Sequence, residues 1–485
     1  FWLKVGSSTF RYNEAVPIFL EERKEMAPAL AAELTAEFVG TFLLVFTVGC
    51  NILSQTAIFA GVSIASVLMV MIYAFGAISG GNFNPAVSVM LGITKTMGAD
   101  GMEWTKVGMY CGVQIAAGIL AGFMYFGLFG HTFNLTPAKG FSLFAAGAVE
   151  FLYTFMLTFV VYNVAVTTTV NKGEKKKDND FYGLAIGFVV VAGAYGAGAV
   201  SGGCFNPAVA IGIDVSSAHL GIGYCFAYAV FELLGAAAAA GLSMVVRPSD
   251  FKPADAEPAA ESVVPALASE FIGTFILVLT VGLNVLGKSP AGAFSIAASL
   301  MCMIYALGDI SGANFNPAVT LAIFCSKLSA DMTPAVAGMY MGAQIAGGVV
   351  AAFTYAAIYS GQTFPLGPGI GYGWPQVAVA EIVFTLVLCL VVLLVAVATG
   401  DTNNKTMFGL AIGSCVTVGG FAIGSISGGS LNPAVSCGIS AAQIMNGGLF
   451  YKGLIYSALE FVGAAGAAGI AIAALKTDEK KDASV

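Results

Sequence analysis

Charged residues are scarce in this sequence. Only 10% of its 485 residues are Asp, Glu, Lys or Arg, whereas about a quarter of the residues of a soluble domain are charged. A soluble helical protein of this length would need charged faces at helical spacing, and long stretches here carry no charge at all. The composition therefore argues against a soluble globular protein.

Residue types that carry most catalytic and metal chemistry are also few or isolated. The only two histidines, His131 and His219, fall in different predicted loops. The nine cysteines form no Cys-x-x-Cys pair and fall mostly in apolar runs, where small buried side chains are the simplest interpretation. Because no nucleophile–base set, metal cluster or phosphate loop is evident, we expect no enzyme, no cofactor and no metal site. No basic cluster is interleaved with aromatic residues, so nucleic acid is not an expected partner.

Long apolar runs dominate instead. Hydrophobic residues make up 58% of the chain, and a helix that crosses a bilayer needs about 20 mostly apolar residues. The sequence predicts an all-α integral membrane protein with the lipid bilayer as its surroundings. The twelve predicted spans are roughly 28–53, 57–77, 106–128, 141–169, 181–200, 219–245, 266–286, 291–308, 334–359, 374–399, 407–425 and 449–474.

The spans fall into two groups of six. A segment from Arg247 to Pro265, rich in proline and acidic residues, separates them and is typical of a linker. The N-terminal residues are mixed and charged, and the C-terminal tail is short and charged. The predicted organisation is a pre-membrane segment 1–27, module 1 at 28–246, a linker 247–265, module 2 at 266–475 and a tail 476–485.

The distribution of Lys and Arg predicts the orientation in the membrane. If both termini face the cytoplasm, 17 of the 20 Lys and Arg lie on the cytoplasmic side. Only Lys139, Lys288 and Lys452 fall on the other side. Cytoplasmic loops carry an excess of these residues in membrane proteins, so both ends are predicted to be cytoplasmic.

Two short motifs each recur four times. Asn-Pro-Ala follows a Ser-Gly pair by a few residues each time, and Glu-x-x-x-Thr begins the first and fourth span of each module. Each Glu precedes its Asn by 47, 56, 46 and 51 residues in turn. The Asn-Pro-Ala motifs are Asn84-Pro85-Ala86, Asn206-Pro207-Ala208, Asn316-Pro317-Ala318 and Asn432-Pro433-Ala434; the Glu/Thr pairs are Glu37/Thr41, Glu150/Thr154, Glu270/Thr274 and Glu381/Thr385.

The recurrence describes one three-span unit that occurs twice in each module. Because three is odd, the two units of a module cross the membrane in opposite senses, and such inverted repeats place their functional site at the bilayer midplane. Asn suits a helix N-cap and Pro suits the first helical turn. The apolar residues after each motif are too few to span, so each motif predicts a half-helix. Two half-helix N-termini should then meet at mid-membrane with their free N–H groups facing one spot.

These motifs resemble those of the aquaporin, or major intrinsic protein, family. The resemblance covers about residues 29–474 as two complete modules, and includes Gln114 and Gln344 in the third spans. It implies one pore per module, passive transport of water or small neutral solutes, and four pores per assembly, which two chains would supply. It also implies that the Asn amides orient solute, and that Glu37, Glu150, Glu270 and Glu381 hold the re-entrant loops.

The sequence departs from the family at the filter, the narrow part of the pore. Most members of the family place Arg three residues after the second Asn, where this chain has Val209 and Val435. An apolar filter without a donor side chain is expected to be wider and to admit small uncharged solutes such as glycerol, urea or ammonia beside water. The predicted filter residues are Ile64, Ala194, Gly203 and Val209 in module 1 and Ile296, Gly420, Gly429 and Val435 in module 2.

Four further residues leave alternatives open. Glu232 and Glu460 occupy equivalent places in the sixth spans, where interhelical or intersubunit hydrogen bonding is favoured over a role in the pore. Asp309 is either a solvated acid at the cytoplasmic mouth, the simpler interpretation, or a group that attracts cations. Cys204 either lines the first pore or is packed behind it.

The leading functional prediction is a gradient-driven channel for water and small uncharged solutes. The alternative is a structural membrane subunit that has the fold and conducts little or nothing. Osmotic swelling of vesicles would separate the two.

Overall fold

The computed structural model describes residues 29–56, 58–167, 180–221, 223–252, 262–398 and 406–482, with side chains up to 475. The predicted pre-membrane segment 1–27, the middle of the linker and the side chains of the tail lie outside these residues. Sixteen α-helices and no strand form the described part.

Twelve of the helices are long and apolar enough to cross a membrane, six in each module. The predicted membrane spans and their grouping are confirmed, with ends that differ by a few residues. In module 1 they are α1 (Leu30–Leu53), α2 (Ala60–Ser79), α4 (Trp104–Phe129), α5 (Leu143–Val161), α6 (Tyr182–Ser201) and α8 (Cys225–Val246). In module 2 they are α9 (Val264–Leu286), α10 (Gly292–Ser311), α12 (Pro334–Ile358), α13 (Trp374–Val392), α14 (Phe408–Ser427) and α16 (Tyr451–Asp482).

Four short helices begin at the prolines of the Asn-Pro-Ala motifs. They are α3 (Pro85–Thr96), α7 (Pro207–Ser216), α11 (Pro317–Ser326) and α15 (Pro433–Gln443). At 10 to 12 residues each, and about 1.5 Å per residue, they are roughly half as long as a bilayer core is thick. Each Asn has an extended backbone and caps its helix by accepting the N–H of the Ala that follows the Pro, as between Asn84 and Ala86 at 2.8 Å.

Glycines let the half-helices press against the long helices. A Cβ on Gly118 of α4 would lie 2.3 Å from the carbonyl oxygen of Ala208 in α7. The equivalent Cβ on Gly348 of α12 would lie 2.4 Å from the carbonyl oxygen of Ala434 in α15. Only a residue without a side chain permits backbones to approach so closely, which is the usual role of glycine in membrane helix packing. The glycine-rich composition is therefore used to seat the half-helices inside each module.

The two modules share an extensive interface. Helices α5 and α6 of module 1 pack against α9 and α10 of module 2. Buried hydrogen bonds cross it, from Ser295 Oγ to the Ala192 carbonyl at 2.9 Å and between the hydroxyls of Tyr153 and Thr280 at 3.0 Å. As a result, 78% of the central stretch of α5 is buried, against 22% for α2.

The start of the predicted linker joins both modules. Arg247 is buried, and its Nη2 lies 2.7 Å from Asp309 Oδ1 in module 2 while its Nε donates to Asn163 in module 1 at 2.7 Å. Asp309 is 24% exposed and paired, so its interpretation as a freely solvated acid was wrong. Nearby, Asp250 accepts a hydrogen bond from Thr167, and burial raises the pKa of Asp250 above its usual range although this bond opposes the shift.

Candidate functional site

The two Asn-Pro-Ala motifs of each module meet. Asn84 Nδ2 donates to the carbonyl of Phe205 at 2.8 Å, and Asn206 Nδ2 donates to the carbonyl of Phe83 at 2.9 Å. Module 2 has the same reciprocal pair, from Asn316 to Leu431 and from Asn432 to Phe315. Each Asn thus bonds the backbone immediately before the other, which fixes the two half-helix N-termini against each other. The four residues that accept these bonds have positive φ, between 49° and 54°.

The four motif glutamates lie behind the loops that lead into the half-helices. Glu37 accepts bonds from Ser79 Oγ at 2.7 Å and from the backbone N–H groups of Asn82 and Phe83 at 3.0 and 2.7 Å. Three further carboxyls make the equivalent backbone bonds in the other half-modules. They are Glu150 to Cys204 and Phe205, Glu270 to Asn314 and Phe315, and Glu381 to Ser430 and Leu431.

The residue beside each motif glutamate differs between the halves of a module. In the first halves, Gln114 donates to Glu37 at 2.8 Å and Gln344 donates to Glu270 at 2.7 Å. In the second halves the matching places hold Glu232, which accepts the backbone N–H of Asn206 at 2.8 Å, and Glu460, which accepts Ser436 Oγ at 2.9 Å. Both glutamates are buried and bond within their own chain.

Each module encloses a cavity that the predicted filter residues line. The cavity holds about 440 Å³ in module 1 and about 560 Å³ in module 2. In both, the two Asn of the motifs also line the cavity, and so does Cys204 in module 1. The filter residues on these walls are Ile64, Ala194, Gly203 and Val209, and Ile296, Gly420, Gly429 and Val435.

One filter glycine also serves helix packing. A Cβ on Gly420 of α14 would lie 2.6 Å from the Cβ of Ala293 in α10. In module 1 the glycine and the alanine have changed places: Ala194 of α6 faces Gly61 of α2. A Cβ on Gly61 would lie 3.1 Å from the Cβ of Ala194. The small residue is therefore needed for helix contact, and does not by itself widen the pore.

Two asparagines outside the recurring motifs, which the sequence analysis did not predict, also line the cavities. Asn51 and Asn284 each stand 14 residues after the first glutamate of their module. Their side chains make matching bonds, from Asn51 to Ser63 and from Asn284 to Ser295, both at 2.9 Å. Aligning the two modules position by position would have found them. Within the described residues, no group of three or more His, Cys, Asp or Glu is placed to hold a metal ion.

Comparison with known proteins gives the family of the chain. The sequence model of the family described as Major intrinsic protein matches residues 25–195, 159–286 and 282–471. The chain belongs to the major intrinsic protein family. Successive matches along one chain fit a tandem arrangement of two major intrinsic protein modules.

Individual relatives each match less than half of the chain. Aquaporin NIP1-3 of Oryza sativa subsp. japonica is 34% identical over 233 residues, which are 45% of this chain and 75% of that protein. Aquaporin NIP2-1 of Zea mays is 34% identical over 201 residues, 38% of this chain and 63% of the relative. The chain spans 64% of the length of the Arabidopsis thaliana relatives NIP4-1 and NIP4-2, at 32% and 30% identity.

Among solved structures, the aquaglyceroporin from Plasmodium falciparum aligns with 95% of its length and 43% of this chain. The TM-score is 0.35 and the sequence identity is 18%.

Proposed function

We propose that the chain is a passive membrane channel with one pore in each module, which conducts water and small uncharged solutes of the glycerol, urea or ammonia kind. One observation carries the proposal: in each module a cavity runs past two opposed half-helix N-termini and between the predicted filter residues. The aquaporin names of the relatives support the same activity.

The paired Asn amides are proposed to orient the solute. An amide NH₂ group has two donors, and one of them bonds the opposing loop, for example from Asn84 to Phe205. The other donor can face a solute oxygen in the cavity. The positive ends of both half-helices point to the same place and disfavour cations and protons there. The motif glutamates are proposed to hold the loops that carry these donors, and not to act on the solute.

The filter is proposed to set the range of solutes. Val209 and Val435 bring neither a charge nor a donor to the place where most members of the family have Arg. Water loses hydrogen bonds in an apolar ring with little to replace them. Solutes that are less strongly hydrated lose less there, so the filter favours small neutral solutes beside water.

The test is flux into vesicles that contain the wild-type chain or the double variant Val209→Arg, Val435→Arg. Arg adds fixed donors that water can use and fills the lumen, so we expect glycerol and urea flux to fall at least tenfold while water flux is kept. The double variant Val209→Met, Val435→Met is the matched control. It fills similar space without donors and should slow water as well.

The wild-type result also decides between the candidate functions. Rapid water flux with every larger neutral solute excluded would contradict the proposed solute range. Vesicles that pass neither water nor solutes would favour the structural-subunit alternative.

Both termini are proposed to face the cytoplasm, on the distribution of Lys and Arg along the chain. A Lys139→Cys variant should then react with a membrane-impermeant thiol reagent added outside intact cells. Protection of that residue until the membrane is opened would reverse the orientation.

We further propose that two chains assemble to give four pores. Within one chain, the fourth and fifth spans of module 1 contact the first and second spans of module 2. The corresponding spans at the two ends, α1 and α2 and α13 and α14, have no such partner among the described residues. Repeating the same contact between chains would cover both free faces and close the ring after two chains.

A further inference from the structure

The two cavities differ in charge at one mouth. We call it the distal mouth, the end of each pore that lies on the membrane side opposite the chain termini. In module 2, Lys288 lines the cavity there, while the equivalent residue in module 1 is the neutral Gln55, which also lines its cavity. Both residues stand 18 positions after the first glutamate of their module. The charge difference therefore lies at matched places in two otherwise similar pores.

A second lysine lies beside the same mouth. The Nζ of Lys452 is 3.5 Å from the position that a Cβ on Gly367 would take, and Gly367 lines the cavity of module 2. The matching residue in module 1 is Tyr224, counted from the buried glutamates of α8 and α16. Two positive charges thus flank the distal mouth of module 2, and neither has a counterpart in module 1.

No acid offsets these lysines in the sequence of the distal segments of module 2. Residues 285–293, 359–373 and 441–452 contain no Asp or Glu. Module 1 does hold an acid at this end, namely Asp214. It is buried and accepts the backbone N–H groups of Leu135 and Cys225 at 2.8 and 2.7 Å. Ser440 takes its place in module 2. The distal end of module 2 is therefore positively charged. The distal end of module 1 has both a positive residue, Lys139, and a negative one, Asp214.

A fixed charge at a cleft with low-dielectric walls changes the local concentration of ions. Neither filter carries the Arg that would repel cations, so the mouth is where the two pores differ in fixed charge. We propose that Lys288 and Lys452 make the module 2 pore charge-selective, so that it excludes small cations and accepts small anions better than the module 1 pore does. This inference rests on the proposed channel function.

The experiment uses full-length chains in which one pore is blocked. Val209→Trp leaves the module 2 pore open, and Val435→Trp leaves the module 1 pore open. Three probes of nearly the same size and shape differ in charge: formate is an anion, formamide is neutral and formamidinium is a cation. Their uptake into vesicles is measured beside water flux and corrected with protein-free vesicles.

In the chain with only the module 2 pore, we expect the ratio of formate to formamidinium uptake to fall roughly tenfold in the variant Lys288→Gln, Lys452→Gln. Formamide and water carry no charge, so their fluxes report any change in pore width and serve to normalise the ratio. Lys139→Gln removes one positive charge from the same side of the membrane at a residue that lines neither cavity, and should leave the ratio unchanged. In the chain with only the module 1 pore, Gln55→Lys should raise the ratio.

Salt provides an independent check. Charges are screened over about 30 Å at 0.01 M ionic strength and about 3 Å at 1 M, so the effect of the lysines should nearly vanish at high salt. An unchanged ratio in both the Lys288→Gln, Lys452→Gln variant and the Gln55→Lys variant, with normal water flux, would overturn this inference alone. Absence of water flux from both single-pore chains would overturn the channel function and this inference together.

Discussion

Among the carboxyl groups inside the membrane-spanning part of this protein, those of the four motif glutamates each accept backbone N–H groups from a loop that leads into a half-helix. An irregular backbone is tolerated at membrane depth only where its polar groups find partners in the protein or in a water-filled path. Glu37 supplies such partners to Asn82 and Phe83, and Glu270 does the same for Asn314 and Phe315. We therefore propose that the glutamates hold these loop conformations.

The variant Glu37→Gln tests this role. Gln keeps one acceptor oxygen and replaces the other with an NH₂ group that faces existing donors, so at least one buried N–H loses its partner, at about 1–3 kcal/mol. In the chain with only the module 1 pore, we expect water flux per folded protein to fall at least tenfold and the unfolding temperature to drop. Glu103→Gln, at an exposed position, should change neither. Full water flux in Glu37→Gln would show that the loop keeps its shape without this carboxyl.

At the scale of helices, the half-helices are seated by contacts that exclude even a methyl group. Gly118 and Gly212 face each other where α4 and α7 cross, since a Cβ on Gly212 would lie 2.5 Å from the Gly118 carbonyl oxygen. Gly348 and Gly438 repeat the arrangement in α12 and α15, at 2.6 Å. The depth of each half-helix, and hence the place of its Asn, depends on these crossings.

We expect Gly118→Ala to displace α7 and to slow water through the module 1 pore. Its Cβ would meet a backbone oxygen at 2.3 Å, and backbone shifts forced by such overpacking cost about 1–3 kcal/mol. Gly112→Ala on the same helix is the matched control, because nothing lies within 4 Å of its Cβ. Stopped-flow water flux and thermal unfolding of both variants provide the comparison. Equal behaviour of the two variants would mean that α7 can move without disturbing the pore.

At the scale of the whole molecule, the two modules are joined through one pair of faces. One pair of module faces is buried between α5–α6 and α9–α10, and hydrogen bonds and the Arg247–Asp309 ion pair cross this junction. Among the described residues, the other pair of faces, on α1–α2 and α13–α14, has no comparable packing against the other module. These two faces belong to the first and the last spans of the tandem, and we propose that a second copy covers both.

A mass measurement in detergent or lipid discs should give twice the chain mass of 49.5 kDa. Val70→Trp on α2 should shift the protein toward single chains, because a bulky ring on a packed face forces the partner away. Leu120→Trp on α4 is the control, since Leu120 has the same 46% exposure as Val70 and a lipid-facing Trp is tolerated. A stable single chain or an assembly of four chains in the wild-type protein would refute the two-chain proposal.

The sequence alone determined the spans, the repeats and the half-helices, because hydropathy and the Asn-Pro-Ala motif act over neighbouring residues. Asn caps and Pro begins a helix wherever the pair occurs, so α3 and its three counterparts were predictable at their starts. An odd number of spans between copies fixes their opposite orientation without any knowledge of packing.

Tertiary structure decided which faces meet. In a membrane, lipid-facing and protein-facing side chains are both apolar, so hydropathy cannot tell the buried α5 from the uncovered α2. The pairing of Arg247 with Asp309, 62 residues apart, and the contact of Gly420 with Ala293 depend on how whole helices pack. The same holds for Lys288 and Lys452, which are far apart in the chain: Lys288 lines the module 2 cavity just after α9, and Lys452 approaches Gly367 on the wall of the same cavity.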